Sequence, residues 1–360
     1  MVKQTAAPPE APPPAQAHND VAAIDQLGAV SRRMREQLAR VIIGQEEVIE
    51  RLLICIFGRG HALLVGVPGL AKTLLVRTLA QCLDLRFSRI QFTPDLMPSD
   101  VVGTQVLVMD PAQRAAGSMF QVQRGPIFGQ IVLADEINRA TPKTQSALLE
   151  AMAEHAVTLA GQRLALEEPF FVLATENPIE MEGTYPLPEA QLDRFLLKIV
   201  VPNPTEDELC EVLARTTGRA PEAAPRVIDR EGVMALRAMC RDVAAAQPVL
   251  RYAARLVRAS DPSTGEAPET VKRALRYGAG VRGAQALVLA AKAVALCEGR
   301  AHVSFEDVKR VARPALRHRL IRSFEGEAEG TTTDTVIDAL LGTVGTRPPS
   351  VEAERPRGAP

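Results

Sequence analysis

The feature that most constrains this chain is a loop of small residues, GVPGLAKT at positions 66–73, between an apolar run and a helix-like pattern. A strand, such a loop and a helix together form a phosphate-binding loop, because backbone N–H groups and the positive end of the helix face an anion. We expect Lys72 to contact the β- and γ-phosphates of a nucleotide and Thr73 to supply a hydroxyl to Mg²⁺. The residue before the lysine is usually Gly and here is Ala71, so a fortuitous turn before a helix is the alternative.

Two adjacent carboxylates, Asp135 and Glu136, end a second informative stretch, QIVLADE at positions 130–136, in which positions 131–134 form a continuous apolar run. A continuous apolar run predicts a strand that is buried on both faces, as in a parallel sheet. An isolated pair of this kind would simply cap a strand. After a phosphate-binding loop, however, we expect Asp135 to organise Mg²⁺ and Glu136 to polarise a water molecule.

A third apolar run, at positions 170–175, leads to Asn177 and Pro178. This run predicts another buried strand that ends in a polar group. We expect the Asn177 side chain to hydrogen-bond the γ-phosphate or to orient the attacking water. A turn-forming asparagine before proline is the alternative.

These motifs and several longer stretches resemble the MoxR family of AAA+ ATPases, over roughly residues 24–344. The Ala71 variant of the loop is similar to the family's own. The further stretches lie at positions 41–45, 91–100, 125–128, 134–140, 144–152, 183–195 and 316–320. The resemblance implies ATP and Mg²⁺ as cofactors, with adenine beside positions 41–44. The nucleotide contacts that it implies are Val41, Ile42, Gly44, Gly66, Val67, Pro68, Gly69, Leu70, Ala71, Lys72, Thr73 and Leu74.

The resemblance also assigns Arg194 a role in catalysis. Arg194, in QLDRF at positions 191–195, matches the arginine finger of the family, which completes the site of a neighbouring subunit. An arginine suits this task because its charge is permanent and its planar group reaches two phosphate oxygens. An ion pair of Arg194 with Asp193 or Glu189 on a surface helix is the alternative.

A second arginine, Arg282, matches the sensor-2 arginine of the family at the start of a lid helix. There it would report the bound nucleotide to the lid. The match is looser than for Arg194, because Gly280, Val281 and Gly283 replace the usual Ser, Pro and Ala. Arg139 is a further candidate for a contact between subunits.

The composition fits a soluble enzyme of the cytoplasm. The 360 residues carry a formal net charge of −1, so no global basic field draws the chain to nucleic acid or to a membrane surface. No uncharged apolar run is long enough to span a bilayer. The scattered and odd-numbered cysteines predict buried thiols of a reducing compartment. They are Cys55, Cys82, Cys210, Cys240 and Cys297.

Composition and periodicity divide the chain into four parts. Residues 1–23 are rich in Ala and Pro and are expected to form a disordered tail. Residues 24–204 alternate between strand and helix patterns, which predicts an α/β P-loop core with a parallel sheet covered by helices. Residues 205–344 show helical patterns and no convincing strand, so an all-α domain follows, and the resemblance makes it the AAA+ lid. Residues 345–360 are expected to form a second disordered tail.

Three local features can be placed within these parts. The resemblance puts a helix-2 insert at positions 105–128. Residues 157–166 alternate around a Gly turn and predict a β-hairpin, which in the family projects at the pore of a ring but is elsewhere an ordinary surface hairpin. A basic cluster predicts a salt-bridge face between domains and not a nucleic-acid patch. It consists of Arg313, Arg317, His318, Arg319 and Arg322.

The implied function is that of an ATP-hydrolysing homo-oligomer, a hexameric ring, that remodels or matures other proteins. A von Willebrand factor A-domain protein is the expected partner, and no nucleic acid is expected. A metal-chelatase-type motor subunit is one alternative, because it shares much of this site. A nucleotide-gated scaffold with little turnover is another, although a pure binder would not need the carboxylate of Glu136. The charge balance disfavours a DNA-translocating motor.

Overall fold

A parallel sheet lies at the centre of the first half of the chain. The protein is described by a computed structural model that defines residues 14–108, 119–178, 183–218 and 224–346. The strands in chain order are β1 (His61–Val65), β2 (Phe87–Gln91), β3 (Gly103–Val108), β4 (Met119–Arg124), β5 (Ile131–Asp135), β6 (Ala156–Leu159), β7 (Gln162–Ala165), β8 (Phe171–Glu176), β9 (Phe195–Val200), β10 (Leu275–Tyr277) and β11 (Ile321–Arg322). Over the described residues, the central sheet has the order β2-β5-β8-β1-β9, and all neighbouring strands are parallel.

Helices cover both faces of this sheet. In chain order they are α1 (Pro14–Val41), α2 (Glu46–Phe57), α3 (Lys72–Cys82), α4 (Pro98–Val102), α5 (Pro142–Glu154), α6 (Glu189–Leu192), α7 (Glu206–Thr216), α8 (Arg230–Asp242), α9 (Gln247–Ala259), α10 (Glu269–Ala274), α11 (Val281–Cys297), α12 (Phe305–Leu316), α13 (Phe324–Ala328) and α14 (Thr333–Thr343). The predicted class, an α/β core followed by a mainly helical region, is therefore confirmed.

Two apolar layers arise because successive strand residues point to opposite faces of a sheet. In β5, Ile131 and Leu133 belong to one buried cluster with residues of α2, α3 and α11. Val132 and Ala134 belong to a second cluster with residues of α5. Since both faces are covered, every position of the strand is apolar up to its last residue, which is why the continuous run predicted a strand.

The helices after residue 205 pack against the α/β core. α11 contacts α1, α2 and β9 as well as α8, α9 and α12. Part of the predicted salt-bridge face joins the two halves directly: His318 Nε2 lies 3.0 Å from Phe195 O, and Arg317 Nη1 donates to Lys198 O at 3.3 Å. Residues on both sides of position 204 share one buried cluster, and the predicted domain boundary there stays a prediction.

Two antiparallel hairpins interrupt the α/β core. The β3–β4 hairpin occupies the predicted insert and begins at Gly103, where a Cβ would lie 2.2 Å from Gln123 O. The β6–β7 hairpin confirms the second prediction, with its turn at Ala160 and Gly161 in the left-handed region. Contact of either hairpin with another protein stays a prediction.

Two expectations about secondary structure differ from the structure. The helix α1 begins at Pro14, so residues 14–23, predicted to be disordered, are helical. Proline is tolerated at the first helical position, and the Ala- and Gln-rich residues that follow favour a helix. The region after residue 205 also contains strands, because β10 and β11 pair as a short antiparallel ladder. Strands of two or three residues are too short to show an alternating pattern.

Other expectations are met only in part. Residues 1–13 and 347–360 of the predicted tails lie outside the described residues. Four cysteines are buried as expected, but Cys210 is exposed because α7 buries none of its residues. Among the described helices, none is long and apolar enough to cross a lipid bilayer.

Candidate active site

The phosphate loop joins β1 to α3 and is shaped by two left-handed residues. Gly69 has φ 87° and Ala71 has φ 53°, so the backbone curls before α3 begins at Lys72. Ala71 takes the conformation that glycine adopts most easily, which explains how the loop closes with alanine before the lysine. Lys72 Nζ donates a hydrogen bond to Gly66 O at 2.7 Å and so lies across the loop.

Asp135 ends β5 and is held by side chains from both neighbouring strands. Its Oδ1 accepts a hydrogen bond from Thr175 Oγ1 at 2.7 Å. Its Oδ2 accepts hydrogen bonds from Arg89 Nε at 3.1 Å and from Arg89 Nη2 at 2.8 Å. The carboxylate is buried, so its orientation is fixed by these partners. A cation bound to Oδ2 would compete with Arg89 for the same oxygen.

Glu136 follows the strand in a left-handed turn, with φ 57° and ψ 50°. Its N–H donates to Thr175 Oγ1 at 2.8 Å, so one hydroxyl orients both acidic residues. Its Oε2 accepts hydrogen bonds from Gln91 Nε2 at 3.0 Å and from Arg139 Nη1 at 3.2 Å. A left-handed glutamate costs about 1–2 kcal/mol and is typical of functional sites.

Lys72 and Asn177 complete this group. Burial lowers the pKa of Lys72, and the nearby carboxylates of Asp135 and Glu136 oppose that shift. Asn177 is buried immediately after β8. The preceding residue, Glu176, accepts a hydrogen bond through its backbone O from Gly66 N at 3.4 Å. The structure thus brings the phosphate loop, both acids and Asn177 to the carboxyl edge of the sheet, where ligands bind in such folds.

An apolar cavity of about 160 Å³ opens beside the phosphate loop. The predicted residues that line it are Val41, Ile42, Gly44, Gly69, Leu70, Ala71 and Leu74. Gln45 Nε2 donates to Leu70 O at 3.1 Å and ties this wall to the loop. Apolar walls with backbone groups between them suit a purine ring. We call this space the base cavity.

The opposite wall of the base cavity was missed in the sequence. It is formed by Pro202, Pro204, Leu209 and Val212, which follow β9 and begin α7. The Pro-Asn-Pro sequence at positions 202–204 predicted a turn, but it gave no indication of a ligand contact. The close approach of α7 also explains Gly44, where a Cβ would lie 2.3 Å from Glu208 Cδ.

The two predicted arginines lie at the other end of β1. Arg194 immediately precedes β9, whose first residue pairs with His61 at the start of β1. Arg194 Nη1 donates to Leu149 O of α5. Arg282 Nη1 lies 3.5 Å from Asp193 Oδ2. The base cavity has none of these residues in its lining. In the structure Arg282 thus lies beside Asp193, on a helix that contacts β9, and its role towards a nucleotide stays a prediction.

The surroundings of these arginines carry an excess of positive charge. A cavity of about 340 Å³ is lined by Arg59, Arg194, Arg282 and Arg319, with Asp193 as the single carboxylate. Asp193 is shared, since its Oδ1 accepts a hydrogen bond from Arg319 Nε at 2.7 Å. Asp193 is thus paired with Arg282 and Arg319, and the alternative of a surface ion pair of Arg194 with Asp193 or Glu189 stays untested. Such an arginine-rich hollow suits a phosphate that the subunit does not itself supply.

Arg89 and Gln91 are functional candidates that sequence reasoning missed. Both lie on β2 and reach Asp135 and Glu136 across one strand boundary. Polar residues at alternate positions of β2 were the available signal. Only the strand order shows that β2 is the neighbour of β5, so the partners could not be assigned from the sequence.

Comparison with known proteins agrees with this geometry. A model of the ATPase family associated with various cellular activities (AAA) matches residues 61–197, and an AAA lid domain model matches residues 267–340. Chaperone MoxR1 of Mycobacterium tuberculosis is 38% identical over 340 residues, which is 94% of this chain and 87% of the relative. The chain belongs to the MoxR family of AAA+ ATPases.

Two further comparisons support membership of the MoxR family. Protein MoxR of Paracoccus denitrificans is 34% identical over 323 residues, which is 84% of this chain and 92% of the relative. The solved structure of a predicted ATPase from Cytophaga hutchinsonii has a TM-score of 0.83 and 39% identity. The similarity covers 92% of this chain and 98% of that structure. The MoxR assignment therefore covers the α/β core and the helical region together.

The donor groups of this MoxR-family protein fit a nucleotide with its cation. The loop amides and Lys72 offer positive groups to phosphates. The oxygens of Thr73 and Asp135 are the hard donors that Mg²⁺ prefers, and Mg²⁺ in nucleotide sites is typically held by one or two side chains and by phosphates. Nucleotide binding follows from the family, and the role of each residue is a matter of proposal.

Proposed function

We propose that the protein hydrolyses ATP within a ring whose sites are shared between neighbouring subunits. The observation that carries this proposal is the separation of the two halves of the site. The phosphate loop and both acids lie at the carboxyl edge of the sheet, whereas Arg194 and Arg282 lie at its amino edge. The nucleotide of one subunit would therefore lie far from Arg194 and Arg282 of the same copy, and these two arginines would face the nucleotide of a neighbour.

Within one subunit, the loop amides and Lys72 hold the phosphates, and Thr73 and Asp135 hold Mg²⁺, which would neutralise charge on the phosphates. Glu136 accepts a proton from the attacking water, and Asn177 orients that water. In the structure Glu136 is hydrogen-bonded by Gln91 and Arg139. It would exchange one of these partners for the water before turnover.

Between subunits, Arg194 and Arg282 of one copy approach the γ-phosphate bound by the next. This assignment moves Arg282 from a contact within its own subunit to a contact with the neighbour. Arg319 supports it, because its bonds to Asp193 Oδ1 and to Phe195 O at 2.7 Å hold the carboxylate beside Arg282. A closed hexamer is the arrangement that we propose, since contacts of this head-to-tail kind generate a ring when the rotation closes.

The work that ATP hydrolysis drives is proposed to be the remodelling or maturation of other proteins. One relative is named a chaperone, and the two antiparallel strand pairs, β3–β4 and β6–β7, are candidate contacts with a client. A von Willebrand factor A-domain protein is the proposed partner. The ATP-locked variant Glu136→Gln should retain such a protein from the same genome in an affinity column more strongly than Lys72→Ala does. Equal retention by both variants would show that binding of this partner does not depend on the bound nucleotide.

Nucleotide-dependent assembly tests the proposal directly. Light scattering should show growth from a small species to a ring when an ATP analogue is added, and Lys72→Ala should abolish this growth because the loop loses its cation. ATPase activity should need the assembled form and should not rise with added DNA. A single unchanged monomer with and without the analogue, across a range of concentrations, would rule the shared site out.

A further inference from the structure

The helix α7 is an amphipathic helix with no buried residue. It begins at the capping box of Thr205 and Glu208, where Thr205 N donates to Glu208 Oε2 at 2.7 Å. Leu209 and Leu213 are 47% and 52% exposed. They lie one turn apart and therefore share a face of the helix. A helix that exposes such a face within a well-packed protein is a candidate for contact with another surface.

The position of α7 connects this face to the nucleotide. Leu209 and Val212 line the base cavity, so α7 forms one wall of the proposed nucleotide site. The same helix is acidic at its beginning, and Glu211 adds a further carboxylate one turn on. The acidic residues of its first turn are Glu206, Asp207 and Glu208. Arg215, the basic residue of α7, pairs with Glu211, so a neighbour that reaches the nucleotide would meet apolar side chains and the acidic first turn of α7.

A complementary surface lies on the helical region, at residues 276–282, which we call the lid edge. Tyr277 is 54% exposed and Val281 is 76% exposed. The guanidinium of Arg276 lies over the Tyr277 ring, 5.2 Å from its centroid. Arg282 is the next residue after Val281 and is itself exposed. The lid edge therefore combines apolar side chains with positive charge.

We propose that the lid edge of one copy packs on α7 of the next copy, with Tyr277 and Val281 against Leu209 and Leu213. This inference rests on the proposed function, because it needs Arg282 to serve the nucleotide of a neighbour. When Arg282 approaches that nucleotide, the adjacent Val281 comes close to the neighbour's site, where α7 forms an exposed wall of the base cavity. The charges also match, since Arg276 of the lid edge would face the acidic first turn of α7 while Arg282 is directed to the nucleotide.

The second copy of this chain is the occupant that the structure favours. The two surfaces differ, so the contact is head-to-tail and each copy uses both of them. This contact would also give α7 a second function, because the helix that lines the base cavity would then form part of the subunit interface. Nucleotide binding and ring assembly would be coupled through the same helix.

Chemical cross-linking tests this contact in the assembled protein. In a Cys210→Ser background, which removes the exposed thiol of α7, the double variant Leu213→Cys/Val281→Cys is mixed with an ATP analogue and a flexible bis-maleimide linker. The remaining cysteines are buried. Denaturing gels should show a ladder of covalent species from dimer up to the full ring, because each copy has one thiol on each surface.

The single variants are the controls for this experiment. Leu213→Cys alone or Val281→Cys alone should stay monomeric on the gel, and a covalent dimer from either one would indicate a symmetric contact and overturn the proposal. Particles that light scattering shows to be rings, but that give no ladder from the double variant, would also overturn it and leave the proposed function standing. Failure to form any ring would instead count against the proposed function, and with it against this contact.

An assembly measurement gives a second readout. Leu213→Arg places a positive charge opposite the basic lid edge and should raise the protein concentration needed for assembly by at least about tenfold. Leu250→Ser is the matched control, because Leu250 is an exposed leucine of the same helical region. Leu250 lies nine residues before Ala259, the last residue of α9, which is about 14 Å along the helix. The next residue, Ser260, accepts a hydrogen bond from Ala279 N of the lid edge. Equal effects of the two variants would contradict the proposed contact.

Discussion

The phosphate loop and the arginine-rich hollow lie at opposite ends of β1, and they are built in different ways. The loop is made largely of backbone: a left-handed Gly69 and Ala71 and the first turn of α3. The hollow is made of side chains from distant parts of the chain, held by Asp193 and by the packing of α11 on β9. A backbone site can be complete within one short segment, whereas a side-chain site depends on the whole fold.

This difference has a functional consequence. Under the proposed function, the phosphate loop binds a nucleotide within one subunit, and the hollow acts only when another copy supplies a phosphate. Charge supports the division, since acids surround Lys72 while arginines outnumber acids around Asp193. Binding should therefore depend on one end of the molecule and hydrolysis on both.

The largest expected effect tests that division at Arg194. Arg194→Ala should bind ATP nearly normally and hydrolyse it about 10³–10⁵-fold more slowly, because an arginine on the transferred phosphate is worth that much. Binding by fluorescent nucleotide titration and turnover by phosphate release would measure the two separately. A variant that loses binding as strongly as turnover would show that the two ends of the molecule are not independent.

Mixing distinguishes action between subunits from action within one. Lys72→Ala subunits keep Arg194 but have no working loop, and Arg194→Ala subunits have the reverse defect. Rings that contain both should regain part of the activity, since some interfaces pair a sound loop with a sound arginine. Inactive mixed rings, after co-assembly has been verified, would favour a structural role for Arg194.

A smaller loss is expected at the other end, for Glu136→Gln. The substitution keeps the shape of the side chain and removes the base, so turnover should fall about 10²–10⁴-fold while ATP and Mg²⁺ still bind. Glu231→Gln, at an exposed glutamate of α8, is the control and should change nothing. Mixing Glu136→Gln with Lys72→Ala should not restore activity, in contrast to Arg194→Ala, because both defects lie in the same half of the site. Recovery would show that Glu136 acts across the interface.

Arg282→Ala should have a more modest effect, which sharpens the position of this residue. A hydrogen bond to a charged group is worth about 1.5–3 kcal/mol, or about 10–10²-fold in rate. The loss should appear in turnover and be relieved by mixing with Lys72→Ala, as for Arg194. Arg273→Ala, at an exposed arginine paired with Glu325 and Glu329, serves as control. A loss of nucleotide affinity in the isolated subunit would instead support a contact of Arg282 with the nucleotide of its own subunit.

The smallest effect concerns the backbone of the loop. Ala71→Gly removes the penalty of a left-handed alanine and should stabilise the protein by about 1 kcal/mol, raising the thermal midpoint by about 2 °C. Ala235→Gly, at an exposed position inside α8, should lower stability by about the same amount, because glycine weakens a regular helix. The same Ala→Gly substitution should therefore shift the thermal midpoint in opposite directions at the two positions, and calorimetry would measure both shifts. Equal destabilisation at both positions would mean that Ala71 is not strained.

Much of the fold and of the phosphate half of the site could be predicted from local pattern. The buried runs before Asp135 and Asn177 indicated strands because both faces of the sheet are covered, and the loop before Lys72 carries its own geometry. The short ladder of β10 and β11 and the helix from Pro14 were not predicted, because neither leaves a clear periodic signal. The exposed Cys210 was missed for a related reason: an amphipathic pattern does not tell whether a helix is covered.

The sequence by itself determined which residues can bind phosphate, hold a cation and activate water, because these properties belong to side-chain chemistry and to short backbone motifs. The tertiary structure alone decided which of them meet. Strand order placed Arg89 and Gln91 on Asp135 and Glu136, and the packing of α11 on β9 placed Arg282 beside Asp193. Such pairings join residues that are far apart in the chain, and local periodicity does not report on the energy of those distant contacts.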